Sequence, residues 1–213
     1  MMKRLLVVLA MAAMVPMQAQ ATGVELGYAQ WMQSNSGDIA GNPVATSTAN
    51  SGMIWAELEH PVPVIPNLRY SSSDIAIGDT SNNLNLKFND LILYYNLWDT
   101  LATVDVGFGM RSISGSATVI DNPNSIPGTP IPVMFVNLAG KIPGVGLTVG
   151  YRYTGLSSGS KGITSTELYA NYAMVAGLEA TVGMRDESVN FPVSDGDISA
   201  KSSGTFIGIM YKF

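Results

Sequence analysis

Few residues in this sequence are of a type and spacing to do chemistry. A histidine is the usual general base near neutral pH, and the chain has one, His60. It opens the Pro-rich stretch His60-Pro61-Val62-Pro63, which marks a turn rather than a catalytic scaffold. No second His and no Cys accompanies it, so a transition-metal site lacks ligands. Serines are frequent, but a hydroxyl without a neighbouring base stays unactivated. Gly107-x-Gly109 and Gly144-x-Gly146 fall in or beside strand-like stretches with no helix following, so they are not phosphate loops. Asp195-Gly196-Asp197, with Asp186 and Glu187 upstream, has the acidity for Ca²⁺ but not the remaining ligands at fixed spacing; a solvated acidic loop is expected there. The chain is expected to be no enzyme and to hold neither cofactor nor metal.

What remains is a set of charges with a shared parity: Glu25, Glu57, Glu59, Arg69, Asp90, Asp105, Arg111, Arg152, Glu167, Glu179, Arg185 and Lys212. Each falls on the polar phase of a segment in which apolar residues recur at every second position. Leu147, Val149, Tyr151 and Tyr153 alternate with Thr148, Gly150, Arg152 and Thr154. Leu178, Ala180, Val182 and Met184 alternate with Glu179, Thr181, Gly183 and Arg185. Ala102 to Arg111 and Ile207 to Phe213 repeat the pattern. A run of about nine to eleven such residues suits a tilted strand crossing a bilayer.

The elements that position these charges are therefore strands. Ten are expected, near 24–33, 51–60, 67–75, 84–95, 101–112, 132–140, 146–155, 164–174, 178–189 and 203–213, with eight as the alternative count. Segment 84–95 changes phase between Phe88 and Leu91, which predicts a β-bulge near Asn89-Asp90. Long connections rich in Ser, Asn, Gly, Pro and Asp (Ser34–Asn50, Ile113–Ile131, Phe191–Ser202) and medium ones (Ala76–Asn83, Leu156–Ile163) alternate with short turns at Pro61–Pro66, Asn96–Thr100, Lys141–Val145 and Val175–Gly177. Ile113–Ile131, with Pro123, Pro127 and Pro130, is expected as a mobile surface loop.

The predicted fold is all-β: a closed antiparallel transmembrane β-barrel with short periplasmic turns and longer extracellular loops. Closure follows because an open edge in hydrocarbon leaves backbone groups unbonded. A soluble sandwich would carry many charges on its polar face. Here that face is mostly Gly, Thr, Ser and Ala, small enough for a narrow interior. Tyr28, Trp31, Trp55, Tyr70, Tyr94, Tyr95, Trp98, Tyr151, Tyr153, Tyr169, Tyr172, Tyr211 and Phe213 cluster near predicted strand ends, some of them as interfacial girdles.

Composition agrees. Charged residues are 13% of the chain, about half the usual share. A net charge of −5 without a basic run argues against nucleic acid. Residues 1–21 have the form of a cleaved export signal: Lys3 and Arg4, the apolar Leu5–Val15, then Ala19-Gln20-Ala21. The apolar core is too short for a spanning helix. The barrel domain is then 22–213, in the outer membrane of a Gram-negative cell.

The last residues, Thr205–Phe213, end on an aromatic with Tyr211 on the same face. They resemble the terminal strand of outer-membrane barrel proteins, which implies that Tyr211 and Phe213 form the signal read by the assembly machinery. The stretch His60–Tyr70, the pair Tyr94-Tyr95 after Asp90, and Gly150-Tyr151-Arg152 with Gly183-Met184-Arg185 are similar to segments of an uncharacterised family of small Gram-negative outer-membrane barrels. The resemblance implies a fold and no activity. Expected partners are outer-membrane lipid, lipopolysaccharide and the assembly machinery.

Charges inside such a barrel must pair or stay wet. One arrangement is a salt-bridged plug in a structural or surface-interaction protein; the other is the lining of a narrow channel for small polar solutes. A lipid-modifying enzyme is a weaker third. If the turn after His60 is centred on residue 63, Glu57 faces Arg69. If the turn at Val175–Gly177 is centred on Ala176, Glu167 faces Arg185.

Overall fold

The computed structural model describes residues 23–213, apart from positions 40, 63, 79–81, 120–121, 159–160 and 194–195. The expected export signal, with its cut after Ala21, lies outside the described residues. Ten strands follow one another: β1 (Gly23–Ile39), β2 (Asn42–Glu59), β3 (Asn67–Gly78), β4 (Asn83–Asp99), β5 (Ala102–Val119), β6 (Asn122–Ile142), β7 (Leu147–Ser158), β8 (Lys161–Val175), β9 (Leu178–Val193) and β10 (Gly196–Lys212). Each pairs antiparallel with its sequence neighbours, and β1 pairs with β10 to close the barrel. The first described residues and Phe213 lie at one rim, where the Phe213 N–H donates to the Val24 carbonyl at 2.9 Å.

The strands are longer than the sequence predicts, and most of the extra length lies at the opposite rim; at the terminal rim β4 runs on through Asn96–Asp99, most of the expected short turn Asn96–Thr100. The expected loop Ile113–Ile131 is a hairpin instead: β5 runs on to Val119 and β6 starts at Asn122. Ser34–Asn50, Phe191–Ser202, Ala76–Asn83 and Leu156–Ile163 are likewise largely strand. Turn-forming composition is overridden by pairing with the neighbouring strand. The prolines are accommodated at an edge. β6 pairs with β7 only from Met134↔Gly155 downward, so Pro130 and Pro132 sit where β6 has β5 alone as a neighbour.

The bulge expected at Asn89-Asp90 is absent. The β4 register with β5 is continuous there and shifts instead between Asn96 and Trp98. Leu84, Leu86 and Phe88 point inward, in the same parity as Asp90, Ile92 and Tyr94; Leu91, Leu93 and Tyr95 point outward. The backbone phase is constant, and the surroundings change. Toward the terminal rim the outside is an apolar belt that includes Leu26, Ile54, Leu93, Phe108, Leu138, Leu168, Val182 and Ile207. Toward the other rim the outward positions are polar, as at Asn50, Asp74, Lys87, Asp186 and Lys201. There the apolar residues face in: Ile39, Val44, Ile75, Ile77, Leu84, Leu86, Phe88, Ile113, Ala117, Ile163, Val189, Ile198 and Ala200 pack as one core. Lipid outside demands an apolar exterior; water outside allows an apolar interior.

The aromatics divide between the two faces. Tyr28, Tyr70, Tyr95, Trp98, Tyr151, Tyr172, Tyr211 and Phe213 are exposed on the outside. Trp31, Tyr94 and Tyr169 are buried inside, and Trp55 also points in, bonded to Glu25. Inward glycines make room for two of these rings: a Cβ on Gly27 would overlap Trp55, and one on Gly150 would overlap Tyr169.

One seam is closed by side chains. The β2–β3 ladder runs only from Leu58↔Leu68 to Ile54↔Ser72. Beyond it, Gln33 Nε2 donates to the Asp74 carbonyl at 2.6 Å, Ser51 Oγ to the same carbonyl at 3.0 Å, and Asn35 Nδ2 to the Ala76 carbonyl at 2.8 Å. These amides and hydroxyls replace the missing strand partners.

Candidate functional site

The inward charges assemble into a chain of alternating sign. Asp90 on β4 holds Arg111 on β5 through two bonds, Oδ1 to Nε at 2.6 Å and Oδ2 to Nη2 at 2.7 Å. Arg111 Nη1 donates to Glu187 Oε1 on β9 at 2.5 Å. The other Glu187 oxygen accepts from Arg185 Nη2 at 2.8 Å, and Arg185 Nη1 donates to Glu167 on β8 at 3.0 Å. The second Glu167 oxygen accepts from Arg152 Nη1 on β7 at 2.8 Å. Arg152 Nη2 lies 3.9 Å from Glu57 on β2, which is ion-paired with Arg69 on β3.

Four carboxylates and four guanidiniums make the chain neutral. It also crosses the lumen twice. β5 and β9 have three strands between them in the barrel, and β7 and β2 are diametrically opposite. Burying single ions would be costly, and alternation gives each one a partner. Neutral groups complete the packing. Tyr94 donates to Glu57 at 3.1 Å, Arg185 donates to Ser73 Oγ at 3.1 Å, and Arg185, Arg152 and Arg111 lie over the rings of Trp31, Tyr169 and Phe88.

The expected pairs Glu57 with Arg69 and Glu167 with Arg185 stand opposite each other in the ladders. Seven of the twelve charges singled out by parity lie in the chain: Glu57, Arg69, Asp90, Arg111, Arg152, Glu167 and Arg185. Glu25, Glu179 and Lys212 form a separate group at the terminal rim, with Lys212 Nζ at 3.6 Å from Glu25 and 3.1 Å from Glu179. Glu59 and Asp105 join neither group by an ion pair. Tyr211 and Phe213 lie on the outer surface with ring centroids 4.7 Å apart.

Parity alone would have found the missing member. Glu187 shares the phase of Glu179 and Arg185 inside the expected strand 178–189, but beside Asp186 it reads as part of the acidic stretch that leads to Asp195-Gly196-Asp197. His60 caps its own turn: its Nδ1 accepts from Val62 N at 3.0 Å. Among the described residues, no group of three or more His, Cys, Asp or Glu side chains could hold a metal ion.

Between the charged chain and the terminal rim is a polar vestibule of about 360 Å³. Above the chain, toward the other rim, the interior is the apolar core.

A closed barrel with an even number of antiparallel strands, an apolar outer belt and a charged, self-paired interior is an outer-membrane-type transmembrane β-barrel. No protein-family model and no curated protein matches the chain. Among solved structures it is similar to Neisserial surface protein A, at 10% identity over 91% of this chain and 100% of that one, TM-score 0.47. It is also similar to the translocator domain of the autotransporter NalP from Neisseria meningitidis, at 10% identity over 99% and 96%, TM-score 0.44. A third similar structure is Ail, the attachment invasion locus protein of Yersinia pestis, at 10% identity over 89% and 99%, TM-score 0.29.

Proposed function

We propose that the protein is a closed, non-conducting barrel of a Gram-negative outer membrane, with a structural or surface-interaction role and no enzymatic activity. The observation that carries this is the neutral Asp90-to-Arg69 chain bridging opposite walls, with an apolar core stacked on it. A conducting path would have to break buried ion pairs and wet an apolar core, and both are costly. On this reading an export signal over residues 1–21 delivers the chain, and Tyr211 and Phe213 present it to the assembly machinery. The outer belt meets lipid, and the polar hairpin extensions stand level with lipopolysaccharide.

The test is single-channel recording of the refolded barrel in planar bilayers. No resolved conductance steps are expected at moderate voltage. Regular unitary steps would overturn the proposal in favour of a narrow channel for small polar solutes.

A further inference from the structure

The vestibule at the terminal rim contains two carboxylates, Glu59 and Asp105, that make no ion pair among the described residues. Gly23, Val24, Lys212 and Phe213 are in its wall, so it opens at the rim where β1 starts and β10 ends. Every cation lining it is committed. Lys141 pairs with Asp99 at 2.8 Å, Lys212 pairs with Glu25 and Glu179, and Arg69, Arg152 and Arg185 belong to the charged chain. Glu59 and Asp105 line the same cavity without an ion pair to any described residue.

Asp105 is the sharper case. Its residue is only 6% exposed. One carboxylate oxygen accepts from Asn137 Nδ2 at 2.8 Å; the other is buried with no hydrogen-bond partner among the described residues. Asn171, in the same wall, has a second buried oxygen without a donor. Two acceptors lacking donors, one of them charged, call for a ligand that brings N–H groups and positive charge.

We propose that this vestibule binds a small organic cation bearing a primary ammonium group, with Asp105 and Glu59 as its counter-charges. The volume lies within the range of small-molecule sites. Trp55, Tyr169 and Phe206 in the wall suit an alkyl or methylene stem. An ammonium group supplies three donors on a compact charge, matching oxygens that now have none. A metal ion fits less well, because the described residues offer no cluster of three acidic or imidazole ligands. The site stands apart from the question of conductance, since it lies on one side of the charged chain.

The test is calorimetric titration of the refolded full barrel, in zwitterionic detergent at neutral pH, with the alkyl diamine cadaverine. Hexanoate and magnesium chloride are titrated in parallel. Saturable one-site binding of the diamine alone is expected. Asp105→Asn and Glu59→Gln should each weaken it by about tenfold, the scale of a lost charged hydrogen bond. Heat-modified gel migration verifies that each variant is folded, and if Asp105→Asn does not fold, Glu59→Gln decides alone. No saturable heat, unchanged affinity in the folded variants, or saturable binding of magnesium in place of the diamine would overturn the proposal.

Discussion

Arg111 on β5 and Glu187 on β9 bond at 2.5 Å with three strands of the barrel between them. Both are almost fully buried, and each has one further ionic partner: Asp90 for Arg111, Arg185 for Glu187. Removing either one leaves the other charged and half-paired away from water.

Glu187→Ala should therefore destabilise the barrel by about 3–5 kcal/mol, and Arg111→Ala by a similar amount. The double variant should still lose less than the sum, because neither member of this pair is left facing the gap of the other, although Asp90 loses its Arg111 partner in both Arg111 variants. Urea unfolding in micelles, followed by heat-modified migration, measures all three. Arg185→Ala should be worse than its double with Glu167→Ala, though that double still strands one oxygen of Glu187. Strict additivity in the Arg111–Glu187 cycle would show that the two do not meet.

The strand count, the closure and the inward parity of the charges were legible because period two survives any loop length. Glu57 opposite Arg69 and Glu167 opposite Arg185 followed from turn centres alone. Two things were hidden. The far-rim hairpins carry sparse apolar residues, such as Ile39, Ile198 and Ala200, spaced among Ser, Asn and Asp, and so pass for loops. The phase change between Phe88 and Leu91 looks like a bulge when one apolar face is assumed throughout; it records the point where the outside turns from lipid to water. Which charges cross the lumen was not legible either, since parity gives a side chain its face but not its reach.

That inversion predicts opposite outcomes for two neighbours on β4. Phe88 is buried in the far-rim core, whereas Leu93 is exposed on the belt. Phe88→Ala should cost about 3–5 kcal/mol, the price of a large core cavity. Leu93→Ala should cost well under half of that, since lipid or detergent fills the gap. Equal losses in micelle unfolding would show that Phe88 does not sit in a packed interior.

Gly150 and Tyr169 supply a steric prediction. A Cβ at 150 would overlap the Tyr169 ring, whose hydroxyl donates to Asn137 at 2.8 Å and whose face carries Arg152. Gly150→Ala should destabilise the barrel by about 1–3 kcal/mol. Adding Tyr169→Ala should cost less in that background than in the parent, because the clash is gone. A Gly150→Ala barrel as stable as the parent would mean that the ring does not lie across the glycine.

The seam between β2 and β3 is where side chains substitute for a ladder. Gln33 occupies its centre: its amide donates to the Asp74 carbonyl and to Ser51 Oγ, each at 2.6 Å, and its oxygen accepts from Asn35 Nδ2 at 3.0 Å. Gln33→Leu keeps roughly the same volume and removes all three bonds. The Asp74 carbonyl then retains the Ser51 hydroxyl, and Asn35 Nδ2 keeps its bond to the Ala76 carbonyl but loses the one to Gln33. The cost should be about 1–3 kcal/mol, that of buried groups left unsatisfied. The loss should also be local: hydrogen exchange should speed up in the upper part of β3, residues 73–78, and stay slow at Arg69 and Tyr70, which keep their ladder on both sides. Met32→Leu, on the outer face of the same strand, serves as the comparison and should leave exchange unchanged. Uniform acceleration through β3, or none, would show that the seam does not depend on Gln33.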